Sequence, residues 1–192
     1  MTSPLLSLFE RYTQALEDAE PLPPSSSPYR VVADQILEMA LAYQSDGKIF
    51  LRSDDPVNAL AAWCYGYGWL DAGRYLGIIS GSDLFPEISL LHGTIPTSDH
   101  DKLDEKRSRY QRMIASALTS IEHAPDESSF LSSVSADINT IAIEWLKAGE
   151  LCIIEGKSES ALAAFSYGYG WLDVGVRAGL FRITGDRHLF TA

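Results

Sequence analysis

Two aspartates, Asp71 and Asp173, close the same heptapeptide, Tyr-Gly-Tyr-Gly-Trp-Leu-Asp, at Tyr65–Asp71 and again at Tyr167–Asp173, a constant offset of 102 residues. Carboxylates related by a repeat can converge as an acid–base dyad or share a cation. Each also has an arginine within helical reach, Arg74 three residues on and Arg177 four residues on. That spacing favours a structural ion pair or an interhelical hydrogen bond over chemistry. No residue is therefore assigned a catalytic role. Tyr65, Tyr67, Trp69 and Asp71, with Tyr167, Tyr169, Trp171 and Asp173, are the candidates for a ligand pocket or an internal interface.

The other chemistry-bearing residues are dispersed. His92, His100, His123 and His188 do not cluster. Ser98, Asp99, His100 and Asp101 would hold a cation only loosely and read as a solvated turn. Arg182 and His188 have a spacing found in some helical ribonucleases, but Gly185 interrupts any helix there and the first copy has no counterpart. Phosphate-loop, dinucleotide, zinc-protease and serine-hydrolase motifs do not occur, so no metal or cofactor is expected. Cys64 and Cys152 lack metal-ligand spacing and read as small buried thiols in a reducing compartment.

The elements that must position these residues follow from the duplication. Residues 59–79 align with 161–181 without a gap, and 13 of 21 positions are identical. Each copy reads as three helices. In the first, Ser3 and Pro4 start an amphipathic helix carrying Leu5, Phe9, Tyr12 and Leu16; Ser27 and Pro28 start a long second one; Asp55 and Pro56 start a third running to about Gly77. The second copy repeats this near 103–122, 130–155 and 158–180, with Gly156 closing the middle helix and Ser158 capping the last. No strand pattern is evident. The expected fold is all-α: two tandem up-and-down three-helix bundles, 1–79 and 103–192, related by a pseudo-two-fold and joined by an apolar linker, 80–102. Leu84, Phe85, Ile88, Leu90, Leu91 and Ile95 predict that this linker packs across one bundle or the junction.

Glycine inside a helix costs about 1 kcal/mol relative to alanine, so the glycines of each third helix need a packing reason. Ala62, Gly66, Gly73 and Gly77, matched by Ala164, Gly168, Gly175 and Gly179, form a side-chain-poor stripe at spacings of four, seven and four. The stripe predicts close packing of one third helix on the other, as in a covalently fused dimer.

Composition bounds the partners. A formal charge of -11 repels phosphate, and the densest basic cluster, Lys102, Lys106, Arg107, Arg109 and Arg112, is interleaved with Asp101, Asp104 and Glu105 as an ion-paired face. Nucleic acid is disfavoured. No apolar run approaches the roughly 18 residues of a membrane span, and the start lacks a secretion signal, so the expectation is a soluble, cytoplasmic chain. Its partner would be a protein or a small molecule; whether the intramolecular pseudo-dimer forms homo-oligomers is left open.

The segments GWLDAG at 68–73 and ALAAFSYGYGWLDVGVRAGLF at 161–181 resemble the archaeal domain of unknown function family 357, twice in one chain. The resemblance implies a small three-helix bundle per copy and an archaeal cytoplasmic setting. It implies no activity. The leading expectation is a non-enzymatic scaffold or interaction module; the alternatives are a ligand binder using Tyr65, Trp69, Tyr167 and Trp171, and a ribonuclease-like enzyme.

Overall fold

The computed structural model describes residues 4–81, 91 and 93–191. Ser3, His92 and the linker positions Leu84, Phe85, Ile88 and Leu90 lie outside the described residues. The architecture is all-helical, with two copies of a three-helix unit: α1 (Pro4–Glu17), α2 (Pro28–Arg52) and α3 (Pro56–Tyr75), then α4 (His100–Thr119), α5 (Phe130–Ile154) and α6 (Ser158–Arg177).

Local chemistry sets the helix ends. The Ser27 hydroxyl accepts from the Tyr29 N–H and Asp55 from the Asn58 N–H, each ahead of a proline in the first turn. At the far end of α3, Ile78 N–H reaches the Gly73 carbonyl and Gly77 N–H the Arg74 carbonyl, while Leu180 and Gly179 do the same to Gly175 and Val176. This pair of hydrogen bonds requires a left-handed residue, and Gly77 (φ +68°) and Gly179 (φ +73°) supply it. Both glycines therefore stop their helices.

The middle helices bury one stripe each, Ala33, Ile36, Ala40, Gln44 and Gly47 in α2 and Ser135, Ile138, Ala142, Gly149 and Cys152 in α5. The third helices are buried all round, nearly every residue from Val57 to Gly73 and from Glu159 to Gly175. A helix apolar on every side belongs inside. Trp63 lies on Gly47, where a Cβ would fall 2.1 Å from the indole nitrogen, and Phe165 lies on Gly149 in the same way. Deleting either glycine's bareness would force α2 off α3, or α5 off α6. The described linker residues Leu91 and Ile95 are buried in the same core.

The structure corrects the sequence expectations in three places. A two-stranded antiparallel sheet joins β1 (Ile121–His123) to β2 (Phe181–Ile183). Three-residue strands are too short to show alternation, and these form because the chain leaves α4 and α6 side by side. In the first copy the equivalent of the His123–Phe181 pair is a single bridge, Pro21 to Ile79; proline has no N–H to extend it. Second, Ser158 does not cap α6: Lys157 occupies that position without a side-chain bond, and the Ser158 hydroxyl donates to Asp104 at 3.0 Å. Third, α4 begins at His100 and stops at Thr119, three residues earlier than expected at each end.

Candidate functional site

The two copies meet along α3 and α6, and the closest approach is at Gly68 and Gly170. A Cβ on Gly68 would sit 2.3 Å from the Tyr167 carbonyl oxygen, and one on Gly170 2.5 Å from that of Tyr65. The obstacle is backbone in both cases, so nothing can turn aside.

This relocates the close contact. Gly66 faces Tyr12 and Tyr43 of its own copy, Gly168 faces Trp145 and Ile114, Gly73 faces Ile36 and Ile79, and Gly175 faces Phe181 and Ile138. Ala62 and Ala164 are buried. With Gly77 and Gly179 acting as helix stops, the predicted stripe serves packing within each copy and termination, and the contact between copies falls on two glycines outside it. A signal was present: Ala61, Tyr65, Gly68 and Ala72 recur at four, three and four, a second face whose tyrosine reaches across.

Around the glycines the copies clasp each other reciprocally. Tyr167 donates its hydroxyl to Asp71 Oδ2 at 2.9 Å, and Tyr65 donates to Asp173. Arg74 Nη1 lies 3.1 Å from Asp71 Oδ1, so the predicted pair forms in the first copy. The second copy differs. Arg177 Nη2 donates to the Thr191 carbonyl at 2.9 Å, and Asp173 Oδ1 accepts from the Thr191 N–H at 3.2 Å. The Arg177–Asp173 ion pair predicted from spacing is not present among the described residues; the Thr191 backbone takes its place.

Aromatic rings wall in these bonds. Tyr43 meets Tyr65 edge-on at 4.5 Å between centroids, Trp145 meets Tyr167 at 4.6 Å, and Tyr65 lies 5.9 Å from Tyr169. Tyr67 stacks on Tyr12 at 5.0 Å. Burial raises the pKa of Tyr65, with the Asp173 charge adding to it, and raises that of Tyr167, with Asp71 adding. Both hydroxyls are held as donors. Burial also lifts Asp173 from 3.8 to about 6, against the lowering pull of the Tyr65 and Thr191 hydrogen bonds and of Arg177. Tyr65, Tyr67, Trp69, Asp71, Tyr167, Tyr169, Trp171 and Asp173 are all buried, so the eight candidates form a closed seam that solute does not reach.

A recess lies at one end of that seam. An open groove of about 720 Å³ runs between the N-terminal turns of α2 and α5 and the C-terminal turns of α3 and α6. Its walls are equivalent positions of the two copies, Tyr29 with Leu131, Val32 with Val134 and Ile78 with Leu180, so it straddles the pseudo-two-fold. Its rim exposes Phe130 (80%) and Tyr29 (57%). Tyr75 crosses from α3 to α5, donating to Asp137 Oδ2 at 2.7 Å, a bond that pushes the Tyr75 pKa up to about 12. The Tyr75 ring packs 5.6 Å from Trp171, which ties groove to seam. Spacing arguments missed the groove because its aromatic residues occupy helix ends, Tyr29 and Phe130 in first turns and Tyr75 in a last one, outside any periodic stripe. Paired apolar residues directly after both Ser27 and Ser129 were the available signal.

The other sequence candidates stay apart. Arg182 on β2 is held by Glu122 at 2.6 Å, while His188 sits in a 3-10 turn with its N–H on Asp186, and no contact joins the two among the described residues. No group of three or more His, Cys, Asp or Glu side chains is gathered for a metal among the described residues. The basic cluster of α4 is ion-paired within the helix through Arg107–Asp104 at 2.8 Å and Arg109–Glu105 at 3.7 Å; Lys102 pairs instead with Asp55 at 2.7 Å, and Lys106 donates to Asn58 at the start of α3. Among the described residues no helix is long and apolar enough to cross a membrane.

Compared with known families, residues 9–79 and 109–181 each match the profile described as Protein of unknown function (DUF357). Neither the curated proteins nor the solved structures contain a match.

Proposed function

The chain belongs to the DUF357 family through both of its halves, and from that premise we propose that it is a non-enzymatic helical interaction module that docks a partner in the groove between them. One observation carries this reading: the acids and aromatics able to do chemistry are sealed in the seam, whereas an apolar recess bordered by exposed Phe130 and Tyr29 stays open to solvent. Exposed aromatic surface gathered in a concavity is what partners desolvate. The unpaired thiols Cys64 and Cys152 fit a reducing cytoplasm.

Nile red tests the groove, because the neutral dye emits strongly and to the blue only when it leaves water. The wild-type protein should brighten it, and the double variant Phe130→Ser, Leu131→Ser should lose most of that signal while keeping the helical spectrum. A dye signal unchanged by the double variant would remove the groove from the account.

A second reading is supported by size. The groove falls within the roughly 300–1,000 Å³ of small-molecule sites, so a compact apolar ligand fits it. Such a ligand would use the groove and not Tyr65, Trp69, Tyr167 and Trp171, whose rings pack on one another and their neighbours. A thermal-shift screen over apolar metabolites separates the readings: a stabilising hit that Phe130→Ser abolishes favours the small molecule. The ribonuclease alternative has no geometric support, since the Arg182 guanidinium is held by Glu122.

A further inference from the structure

We infer that the partner of the groove is an amphipathic helix whose polar flanks are basic. This rests on the reading of the groove as a docking site and adds what fills it. Shape argues for a macromolecule. Small-molecule sites bury about 70–90% of their ligand, but this recess is open to solvent and its apolar border includes Phe130 and Tyr29, both more than half exposed. A helix that lays one face into the groove covers both floor and rim, with anchors at i, i+3, i+4 and i+7.

Charge selects the flanks. Helix dipoles cancel at this end of the molecule: α2 and α5 begin here and α3 and α6 finish here, giving two half-positive and two half-negative termini. Formal charges therefore decide. The cations each have an acid beside them: Asp34 at 2.8 Å from Arg30, Asp71 at 3.1 Å from Arg74, and Asp173, whose charged form Arg177 favours, near Arg177. The acids are not comparably neutralised. Asp137 stands exposed on the groove wall, where it accepts from the neutral Tyr75 hydroxyl, and exposed Asp126 and Glu127 lie in the turn that leads into α5. The formal charge of -11 extends the same sign over the whole chain. Complementary charge at the rim steers encounter and rejects acidic competitors.

Three labelled peptides of about 18 residues, or five turns, test this by fluorescence anisotropy with the full chain. All carry leucine at i, i+3, i+4 and i+7, and their polar faces are lysine, glutamine or glutamate. The lysine peptide should bind at least about tenfold more tightly than the glutamate peptide at low ionic strength, a gap that closes at 1 M salt, where the Debye length is about 3 Å. Asp137→Asn should narrow the gap, and Phe130→Ser should weaken the lysine peptide. Equal affinity for lysine and glutamate peptides overturns the basic flank and leaves the groove reading standing. If none of the three binds, both fall. A lysine peptide indifferent to Phe130→Ser is bound elsewhere, which overturns the inference. So does a dimer in sedimentation equilibrium that Phe130→Ser dissociates, because the occupant is then a second copy.

Discussion

The first half gives its repeated aspartate, Asp71, a tyrosine from the other half and an arginine of its own; the second half gives Asp173 a tyrosine and the Thr191 N–H, while Arg177 turns to the Thr191 carbonyl. The halves also start their last helices differently, Asp55 capping α3 with its carboxylate and Lys157 leaving α6 without a side-chain cap. What both retain is the pair of bare backbones at Gly68 and Gly170 and the crossed tyrosines. Duplication thus keeps the crossing itself alike in both halves, while the groups gathered around each aspartate and at the start of each last helix have diverged.

The comparison is broken most severely at the crossing. Gly68→Leu or Gly170→Leu should destabilise by more than about 4 kcal/mol, since overpacking against backbone has no relief; urea unfolding measures it, and a loss below about 1 kcal/mol would mean the helices do not touch there.

Next come the aspartates, whose environments predict unequal losses. Asp71→Asn leaves the buried Arg74 without its counter-charge and should lose about 3 kcal/mol. Asp173→Asn keeps an acceptor for Tyr65 and removes a charge that burial disfavours. Because the folded pKa of Asp173 is raised from 3.8 to about 6, its contribution is complete below about pH 4 and is lost as pH climbs through about 6. The loss amounts to about 3 kcal/mol by the linkage relation. Stability of Asp173→Asn relative to wild type should therefore rise between pH 4 and 6 and level off above. A flat difference across that range, by urea unfolding at each pH, removes the distinction between the two acids.

A smaller effect sharpens the clasp. Tyr167→Phe strips Asp71 of its bond from the other copy and should lose about 2 kcal/mol, read as the fall in the denaturation midpoint at pH 7. Smallest are Gly77→Ala and Gly179→Ala, each about 1 kcal/mol for forcing a side chain into a left-handed conformation with open space around it. These two should agree with each other, because helix stopping is local and indifferent to which half it serves.

The same division explains what was legible in the sequence. Helix starts at Ser27 and Asp55, and the pairing of the third helices, could be read directly because caps and repeats are written within a few residues. The choice of Gly68 over Gly66 was not decided there, because α3 carries two small-residue faces and spacing does not rank them. Nearly every residue of α3 from Val57 to Gly73 is buried, so hydrophobicity carries no direction, and only the partner's position decides which bare face meets it. The Arg177 expectation failed for a related reason: helical reach allows a bond, but the Thr191 backbone, eighteen residues beyond Asp173, competes for it. The groove escaped because it is assembled from four helix ends that spacing within any one helix cannot bring together.

Fusion into one polypeptide has a last effect on the cleft at the axis. Two identical chains would present lips related by a two-fold rotation, and a rod could enter either way round. Here Phe130 stands opposite Pro28, and Asp137 occupies the place that Gln35 holds on the other side. The cleft has a head and a tail, so a rod laid in it would meet different lips in its two orientations.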